Sequence, residues 1–333
     1  MLQARRAVRR QADPRLLDPR RERTVLEEDA VRPVTLRYYQ DFMQQLETFA
    51  VAAGEVLDVS TVDSLAARWM EDRFLQGEQS HLGGKLIAAI KHRWPRFARW
   101  GDLKLPRAIQ AAKGWKVRSP ATSRLPLPWE VIALLASRLL LEGKRRMAFA
   151  VVLTFHAYLR PSECLRIRAR DIIPPMRGRQ HRHWSILLHP AEQQRASKTN
   201  EFDESLRIDL DDFQFLQHGL RFLREGLLPD DRICDFTQAQ WAAAFRHAAR
   251  AEELDGLAPH LYQLRHSGPS HDLAAGLREL PLVKHRGRWR ADASVRRYTK
   301  GGRLTEQLMR LRGPVRARAV AAALQLPALL RLP

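Results

Sequence analysis

Five short motifs in the second half of the chain contain residue types that can act on a phosphodiester. They are Tyr-Leu-Arg-Pro-Ser-Glu at 158–163, Ser-Lys-Thr at 197–199, Leu-Arg-His at 264–266, Arg-Gly-Arg-Trp at 286–289 and Arg-Arg-Tyr at 296–298. Taken singly, each has an ordinary structural explanation, such as a solvated helix end, a surface lysine or a core aromatic side chain. Taken together, their order on a basic chain favours a shared chemical role.

The chemistry that these residues suit is cleavage of a DNA strand without a metal ion. The transition state of phosphodiester cleavage gathers negative charge on the non-bridging oxygens, which the guanidinium groups of Arg160 and Arg265 can stabilise. Tyr298 is the candidate nucleophile, because a phenol has a pKa of about 10, below that of a Ser or Thr hydroxyl. Lys198, on a predicted hairpin, is the candidate to donate a proton to the departing hydroxyl.

These motifs resemble the signatures of the tyrosine recombinases, the phage-integrase family. The segment 158–165, followed by Arg-Asp-Ile at 170–172, is similar to the first signature, in which an acidic residue follows an arginine by three positions. The segment 264–276 is similar to the second signature, which carries the second catalytic arginine. Trp289 and Tyr298 are nine residues apart, the separation between the family's His-or-Trp position and its nucleophile. The resemblance covers residues 130 to 300.

The resemblance implies a catalytic role for five residues. Arg160 and Arg265 would clamp the scissile phosphate, and Lys198 would be the general acid. Tyr298 would form a 3′-phosphotyrosyl link and release a 5′-hydroxyl, while Trp289 would hydrogen-bond the phosphate or support the tyrosine. The link retains the bond energy, so the expected reaction needs no cofactor, no ATP and no metal.

A second group of residues has supporting roles or departs from the family pattern, as Pro269 does inside the second signature. Glu163 would support the arginine cluster, and His266 would help to seat it. Where the family usually has His or Lys, three residues before the second arginine, this chain has Tyr262, a poor general base near neutral pH, and His260 lies two residues earlier. Arg288 replaces the glycine that normally precedes the His-or-Trp position. These departures bear on whether the chain still cuts DNA.

Three functions therefore stay open, with the first favoured. The first is site-specific strand exchange, such as integration, excision or transposition. The second is a DNA-binding protein that derives from such an enzyme and no longer cuts. The third is a type IB topoisomerase, which shares the nucleophile and the arginines but relaxes supercoils. For strand exchange the resemblance implies two domains that clamp duplex DNA and a homotetramer on DNA, in which an apolar stretch such as 320–330 docks on a neighbouring protomer.

Composition agrees with a nucleic-acid partner. The 333 residues include 57 Lys and Arg and 37 Asp and Glu, which gives a net charge of +20 spread along the chain. Such a balance favours DNA, with an anionic membrane surface as the alternative that composition alone leaves open. The two cysteines, Cys164 and Cys234, lack metal-ligand spacing, which predicts a reducing compartment and no structural zinc. With no transmembrane run and no signal peptide, we expect an intracellular protein located with the DNA and no membrane partner.

The hydrophobic pattern predicts a mainly α fold of the α+β class. The predicted segments are a basic flexible leader at 1–34, a helical domain at 35–115, an exposed linker at 116–128 and a second domain at 129–333. The resemblance implies that the helical domain is a DNA-binding, core-binding domain and that the second domain is the catalytic one. Apolar residues recur at three- and four-residue steps through most of both domains, which indicates amphipathic helices. Two short apolar runs, 184–188 and 206–210, predict a small antiparallel sheet in the catalytic domain.

Overall fold

The computed structural model describes residues 24–120, 125–176, 183–191, 202–209 and 215–331. By their internal contacts, the residues group into two compact units, Met1–Ser123 and Arg124–Pro333. Each unit has its own buried apolar core. The mainly α class with a small antiparallel sheet is confirmed.

The first unit is helical in its described part. Its helices are α1 (Val25–Asp29), α2 (Pro33–Ala52), α3 (Val62–Leu75), α4 (His81–Arg93) and α5 (Pro106–Arg118), with a 3-10 turn at Pro95–Phe97. Helix α2 packs on α4, and α3 packs on α5. Trp69 of α3 is completely buried and meets the ring of Phe42 edge-on, with 6.1 Å between the ring centroids. The apolar faces that the sequence pattern indicated therefore form this core.

Some boundaries differ from the predicted ones, each for a local reason. Within the domain predicted at 35–115, helix α4 ends at Arg93, because Pro95 has no N–H and cannot continue it. Helix α1 and the first residues of α2 lie within the stretch predicted to be a flexible leader, and Pro33 occupies the first turn of α2, a favoured place for proline. Residues 1–23 of that leader lie outside the described residues.

The predicted linker is also shorter than expected. Helix α5 continues to Arg118, where Trp115 is anchored in the core of the first unit. At the other end Leu127 is completely buried in the second unit, and its N–H donates to Ser267 Oγ at 2.8 Å. Residues 126–128 thus belong to the second unit and are not exposed.

The second unit contains ten helices and three strands in its described part. They are α6 (Trp129–Leu141), α7 (Arg145–His156), α8 (Pro161–Cys164), β1 (Ile172–Ile173), β2 (Ser185–Leu188), β3 (Glu204–Arg207), α9 (Phe215–Arg224), α10 (Gln238–Ala251), α11 (Leu261–Ala274), α12 (Leu280–Gly287), α13 (Asp292–Arg296), α14 (Gly301–Met309) and α15 (Gly313–Leu329). Helix α7 contacts α6, α9 and α11, and every residue from 148 to 156 is buried. This central helix leads directly into the first signature.

The sheet has the order β1-β2-β3 with both pairings antiparallel. Ile186 lies opposite Ile172 on one side and Leu206 on the other, and all three are buried. Strand β1 was not predicted, because two residues are too few to show an alternating pattern. The sheet therefore has one strand more than the expected hairpin.

The C-terminal helix α15 packs on α6 of the same chain. Val315, Ala319, Ala322 and Leu326 recur at three- and four-residue steps and enter the core of the second unit. Its apolar face, including part of the stretch expected to dock on a neighbouring protomer, is thus used within the chain. Among the described residues, none of the helices has the length and apolar character to cross a membrane.

Candidate active site

Arg160 and Glu163 are positioned by the end of α7 and the start of α8. After α7 the chain turns at Tyr158, whose φ of 50° lies in the left-handed region, and Arg160 then occupies the residue before α8. Pro161 starts that helix. The carboxylate of Glu163 accepts a hydrogen bond from the backbone N–H of Arg160 at 2.8 Å and another from its guanidinium. The first turn of α8 therefore fixes both side chains.

Glu163 lies at the centre of a cluster of basic side chains. Arg288 Nη2 donates to its Oε2 at 2.6 Å, Arg265 Nη1 lies 3.6 Å from the same oxygen, and His189 Nε2 lies 3.9 Å from Oε1. Burial by itself would raise the pKa of this carboxyl. The neighbouring imidazole and the charges of Arg288, Arg265 and Arg160 outweigh burial and hold the pKa well below its usual range. Glu163 is thus an ionised carboxylate that three guanidinium groups share.

Arg265 projects from α11 into the same cluster and is almost completely buried. Its guanidinium donates to the carbonyl oxygen of Tyr158, and to that of Gly287 at 2.8 Å. It also lies over the ring of Trp289, 5.2 Å from the ring centroid, in cation–π geometry. Burial lowers the pKa of Arg265 to about 10, against the opposing charge of Glu163. The side chain therefore remains cationic at neutral pH and is held by backbone groups.

Tyr298 follows α13 and packs against two other rings. The centroid of Trp289 lies 4.7 Å from that of Tyr298, and the centroid of His266 lies 5.4 Å from it. Only 4% of Tyr298 is exposed. Burial raises the pKa of its phenol, while the charges of Arg265 and Arg297 act in the opposite direction. Tyr298 is therefore a neutral phenol at neutral pH, so an attack by its oxygen requires removal of the proton.

Two glycines are required for this packing. A Cβ on Gly287, the last residue of α12, would lie 1.8 Å from Cζ3 of Trp289. A Cβ on Gly268, within α11, would lie 2.0 Å from the carbonyl oxygen of Phe155. Only glycine at these positions lets Trp289 fold against the end of α12 and lets α11 approach the end of α7.

A second polar network connects the elements that carry the cluster. The hydroxyl of Tyr158 donates to Asp272, which also pairs with Arg278. Arg286 donates to the carbonyl oxygen of His156 at 3.1 Å and to the last carbonyl of β3 at 2.9 Å. These contacts join the ends of α7, α11, α12 and β3, the elements that carry or flank the predicted site.

The structure brings most of the predicted residues together. Arg160, Glu163, Arg265, Trp289 and Tyr298 belong to one cluster, connected through the contacts given above. Two further predicted residues, Tyr262 and His266, extend it along α11: their ring centroids are 5.2 Å apart, and 37% of Tyr262 is exposed. His260 lies at the N-terminus of α11, where its N–H donates to the side chain of Gln263 at 2.8 Å. Lys198 lies outside the described residues.

Solved structures of DNA-bound recombinases share this architecture. A lambda integrase dimer, residues 75–356, bound to a core site has a TM-score of 0.55 and 12% identity, with 83% of this chain and 92% of that chain covered. XerH bound to a palindromic difH substrate after cleavage has a TM-score of 0.53, 14% identity and coverages of 78% and 74%. The Tn1549 transposon integrase in complex with circular intermediate DNA has a TM-score of 0.53, 14% identity and coverages of 83% and 94%.

The chain has the tyrosine recombinase fold. No protein-family model matches the sequence, and no curated protein matches it. Because identities of 12–14% establish a shared fold only, the roles of individual residues have to be argued from the geometry of this site.

Two members of the cluster were not assigned to the site from the sequence. Arg288 was noted only as a departure from the tyrosine recombinase pattern, yet its side chain is 7% exposed and contacts Glu163. His189, at the end of β2, also faces Glu163 and has a positive φ of 53°. A histidine or arginine among many basic residues gives no sequence signal for such a long-range contact. The departure at Arg288 was the only available indication.

Proposed function

We propose that this protein is a site-specific DNA recombinase that cuts and rejoins strands through a covalent link to Tyr298. The observation that carries the proposal is that an arginine pair and a tyrosine lie in one cluster. Arg160 and Arg265 both contact the carboxylate of Glu163. Tyr298 packs against Trp289, and the guanidinium of Arg265 lies over the ring of the same tryptophan. A phosphodiester carries one negative charge, and the planar array of N–H donors on a guanidinium group is suited to bind its oxygens. Tyrosine beside such an anion site suits transfer of a phosphoryl group.

The two arginines would stabilise the pentacovalent transition state. Arg265 is held in advance by two backbone carbonyls and by Glu163, so it needs little reorganisation when charge develops on the non-bridging oxygens. Arg160 is less buried, with 21% of its side chain exposed, and would approach the phosphate from the surface side. Hydrogen bonds to charged groups contribute about 1.5–3 kcal/mol each, so loss of either arginine would slow cleavage strongly.

In the cleavage step the phenolic oxygen of Tyr298 attacks phosphorus and the bond from phosphorus to the 5′ oxygen breaks. The departing oxygen takes a proton, for which Lys198 is the proposed donor, and the phenol loses one. His266, whose ring packs against Tyr298, is the proposed acceptor of the phenolic proton. Attack of a 5′-hydroxyl on the phosphotyrosyl link reverses these events and reseals the strand. No group is oxidised or reduced, and the phosphoryl group stays activated throughout.

Duplex DNA is the proposed partner. The net charge of +20 supports it, and the structures that share the fold are described as complexes with DNA. The first unit is proposed to be a core-binding domain, and the active assembly a homotetramer on DNA, located with the DNA inside the cell. Binding should weaken steeply with salt, because phosphate contacts release counterions.

Covalent trapping tests the proposal. A binding site is first selected from a randomised duplex library with the Tyr298→Phe variant, and a nicked version of the selected duplex is then incubated with the wild type. We expect a protein–DNA adduct that survives detergent, that is absent with Tyr298→Phe and that persists with the control Tyr38→Phe, whose ring is half exposed in the first unit. Tight, salt-sensitive binding without any adduct would instead support the DNA-binding protein that no longer cuts.

A second assay separates recombination from relaxation. Supercoiled plasmids with one or two copies of the selected site are incubated with the wild type and analysed for resolved or inverted products. A recombinase exchanges strands only between two sites, and the exchange requires several protomers. Relaxation of a one-site plasmid, with no exchange between two sites, would support the topoisomerase.

A further inference from the structure

Arg288 has an unusual backbone and an unusual environment for an arginine. It follows α12 with φ 58° and ψ 41°, a left-handed conformation that favours glycine at the end of a helix. Its side chain is nevertheless 93% buried, since only 7% is exposed. Nη2 donates to Glu163 Oε2 at 2.6 Å, and Nε lies 3.5 Å from Oε2 of Glu204, the first residue of β3. Arg288 therefore bridges two carboxylates on different elements.

Part of the hydrogen-bonding capacity of Arg288 is unused. Nε and Nη1 are both buried, and within the part of the chain that the structure describes neither has a hydrogen-bond acceptor. Buried donors without acceptors destabilise a fold, particularly on a charged group. The charges of Glu163 and Glu204, more than a full set of hydrogen bonds, therefore hold this arginine in place.

The contacts of the three arginines also differ. Arg160, Arg265 and Arg288 all face the carboxylate of Glu163, and among the described contacts only Arg288 of the three also faces Glu204. A phosphodiester carries one negative charge, so it competes with Glu163 for the N–H groups of Arg160 and Arg265. Without Arg288, the charge of Glu163 would attract these two arginines more strongly.

We propose that Arg288 is a positioning residue of the phosphate site, which neutralises Glu163 and Glu204 so that Arg160 and Arg265 keep their N–H groups for the phosphate. This inference rests on the proposed function, in which a DNA phosphate occupies the cluster. Arg288 occupies a position at which the family pattern has glycine. Its side chain also supplies a fixed positive charge near α11, where Tyr262 replaces the usual His or Lys.

Binding of inorganic phosphate to the full-length protein tests this role without cleavage. The dissociation constant is measured by calorimetry in phosphate-free buffer for the wild type, Arg288→Gln, Arg288→Lys and the double variant Arg288→Gln/Glu204→Gln. Arg316→Gln, on the exposed side of α15, is the control with the same change in net charge. Thermal unfolding of each variant reports whether it is folded.

We expect Arg288→Gln to weaken phosphate binding about tenfold, the equivalent of one charge-assisted interaction. Arg288→Lys should lie between this variant and the wild type, and Arg316→Gln should match the wild type. The double variant should regain most of the affinity, because removal of the Glu204 charge compensates for the lost charge of Arg288. A purely structural role predicts no such recovery. Wild-type affinity in Arg288→Gln, no recovery in the double variant, or no phosphate binding by the wild type would each overturn the inference.

The trapping assay on the same variants separates this inference from the proposed function. If phosphate binding follows the expected order but the wild type forms no adduct with its selected DNA, the recombinase proposal fails and the role of Arg288 stands. If the wild type forms the adduct and Arg288→Gln binds phosphate as the wild type does, the recombinase proposal stands and the role of Arg288 fails.

Discussion

Glu163 and Glu142 each gather several cations in the second unit, but their surroundings differ. Glu142, just after α6, lies 2.8 Å from Arg138, 2.7 Å from Lys144 and 3.1 Å from His247. Those three basic side chains are 34%, 37% and 64% exposed. The three arginines around Glu163 are 21%, 2% and 7% exposed. Each cluster thus surrounds one carboxylate with basic side chains, and the two differ in access to water.

The difference in burial supports the functional role that we propose for the Glu163 cluster and a structural role for the Glu142 cluster. At Glu142, water and salt screen the cations, so each pair contributes at most about 1 kcal/mol to folding. At Glu163, burial of each charged group has a cost in folding free energy. Well-placed hydrogen bonds offset that cost, such as those from Arg265 to two backbone carbonyls. A costly cluster with excess positive charge is suited to bind an anion. Substitutions at the Glu163 cluster should therefore affect the reaction far more than matched substitutions at the Glu142 cluster.

The largest effect is expected from loss of the planar donor at Arg265. Arg265→Lys keeps the charge but cannot donate to two carbonyls and a phosphate at once, so the rate of adduct formation should fall about 100- to 1,000-fold. The measurement is the single-turnover rate on the selected nicked duplex. Arg138→Lys makes the same change at the Glu142 cluster and should leave that rate unchanged. Equal losses in both variants would contradict the contrast.

A smaller loss is expected from displacement of Trp289. Gly287→Ala places a Cβ 1.8 Å from the indole, which must move away from Tyr298 and Arg265. A shift of about 1 Å at a reacting centre lowers rates on the order of 100-fold, so we expect a 10- to 100-fold slower adduct with nearly normal DNA binding. Gly302→Ala is the matched control, because a Cβ there has no neighbour within 4 Å. A wild-type rate for Gly287→Ala would show that Trp289 does not position the nucleophile.

Acid should destabilise the Glu163 cluster in a defined pH range. The folded-state pKa of Glu163 lies below the ordinary value of 4.5, so its contribution to the free energy of unfolding is complete above about pH 4.5 and is lost as the pH falls below it. Glu163→Gln removes that contribution, and its Tm should depend less on pH than the wild-type Tm between about pH 5 and 3. The measurement is thermal unfolding as a function of pH. Parallel curves would contradict an ionised, charge-stabilised Glu163.

The smallest effect is expected at Glu142. The neighbouring cations outweigh burial and lower its pKa to about 2, so its contribution has the same sign and is lost between about pH 4.5 and 2. Exposure of its partners limits that contribution, and Glu142→Gln should change the stability at neutral pH by about 1 kcal/mol or less. Adduct formation should not change. A slower adduct would show that the Glu142 cluster also takes part in the reaction.

The sequence was most informative where spacing along the chain is itself the signal. Arg160, Arg265, Trp289 and Tyr298 were predicted from local motifs, and the structure places all four in one cluster. Arg160, Trp289 and Tyr298 lie beside the end of a short helix, and Arg265 lies within the second turn of α11. Local sequence therefore contained most of the information about this part of the site.

Other features depend on contacts that no local pattern encodes. Arg288 reaches Glu163 across 125 residues of sequence, by means of a left-handed turn that an arginine does not ordinarily favour. Strand β1 depends on pairing with β2, because two residues have no periodicity of their own. The use of α15 within its own chain depends on the apolar surface of α6, which the sequence of α15 does not reveal.

The most direct test of the account is to locate the covalent bond between protein and DNA. Wild-type protein is incubated with the selected nicked duplex and digested with trypsin, and the peptide that carries DNA is identified by mass spectrometry. We predict that the oligonucleotide is attached through its 3′ phosphate to Tyr298 and that the released strand has a free 5′-hydroxyl. Attachment to any other residue, or no attachment to a duplex that the protein binds tightly, would contradict the central claim.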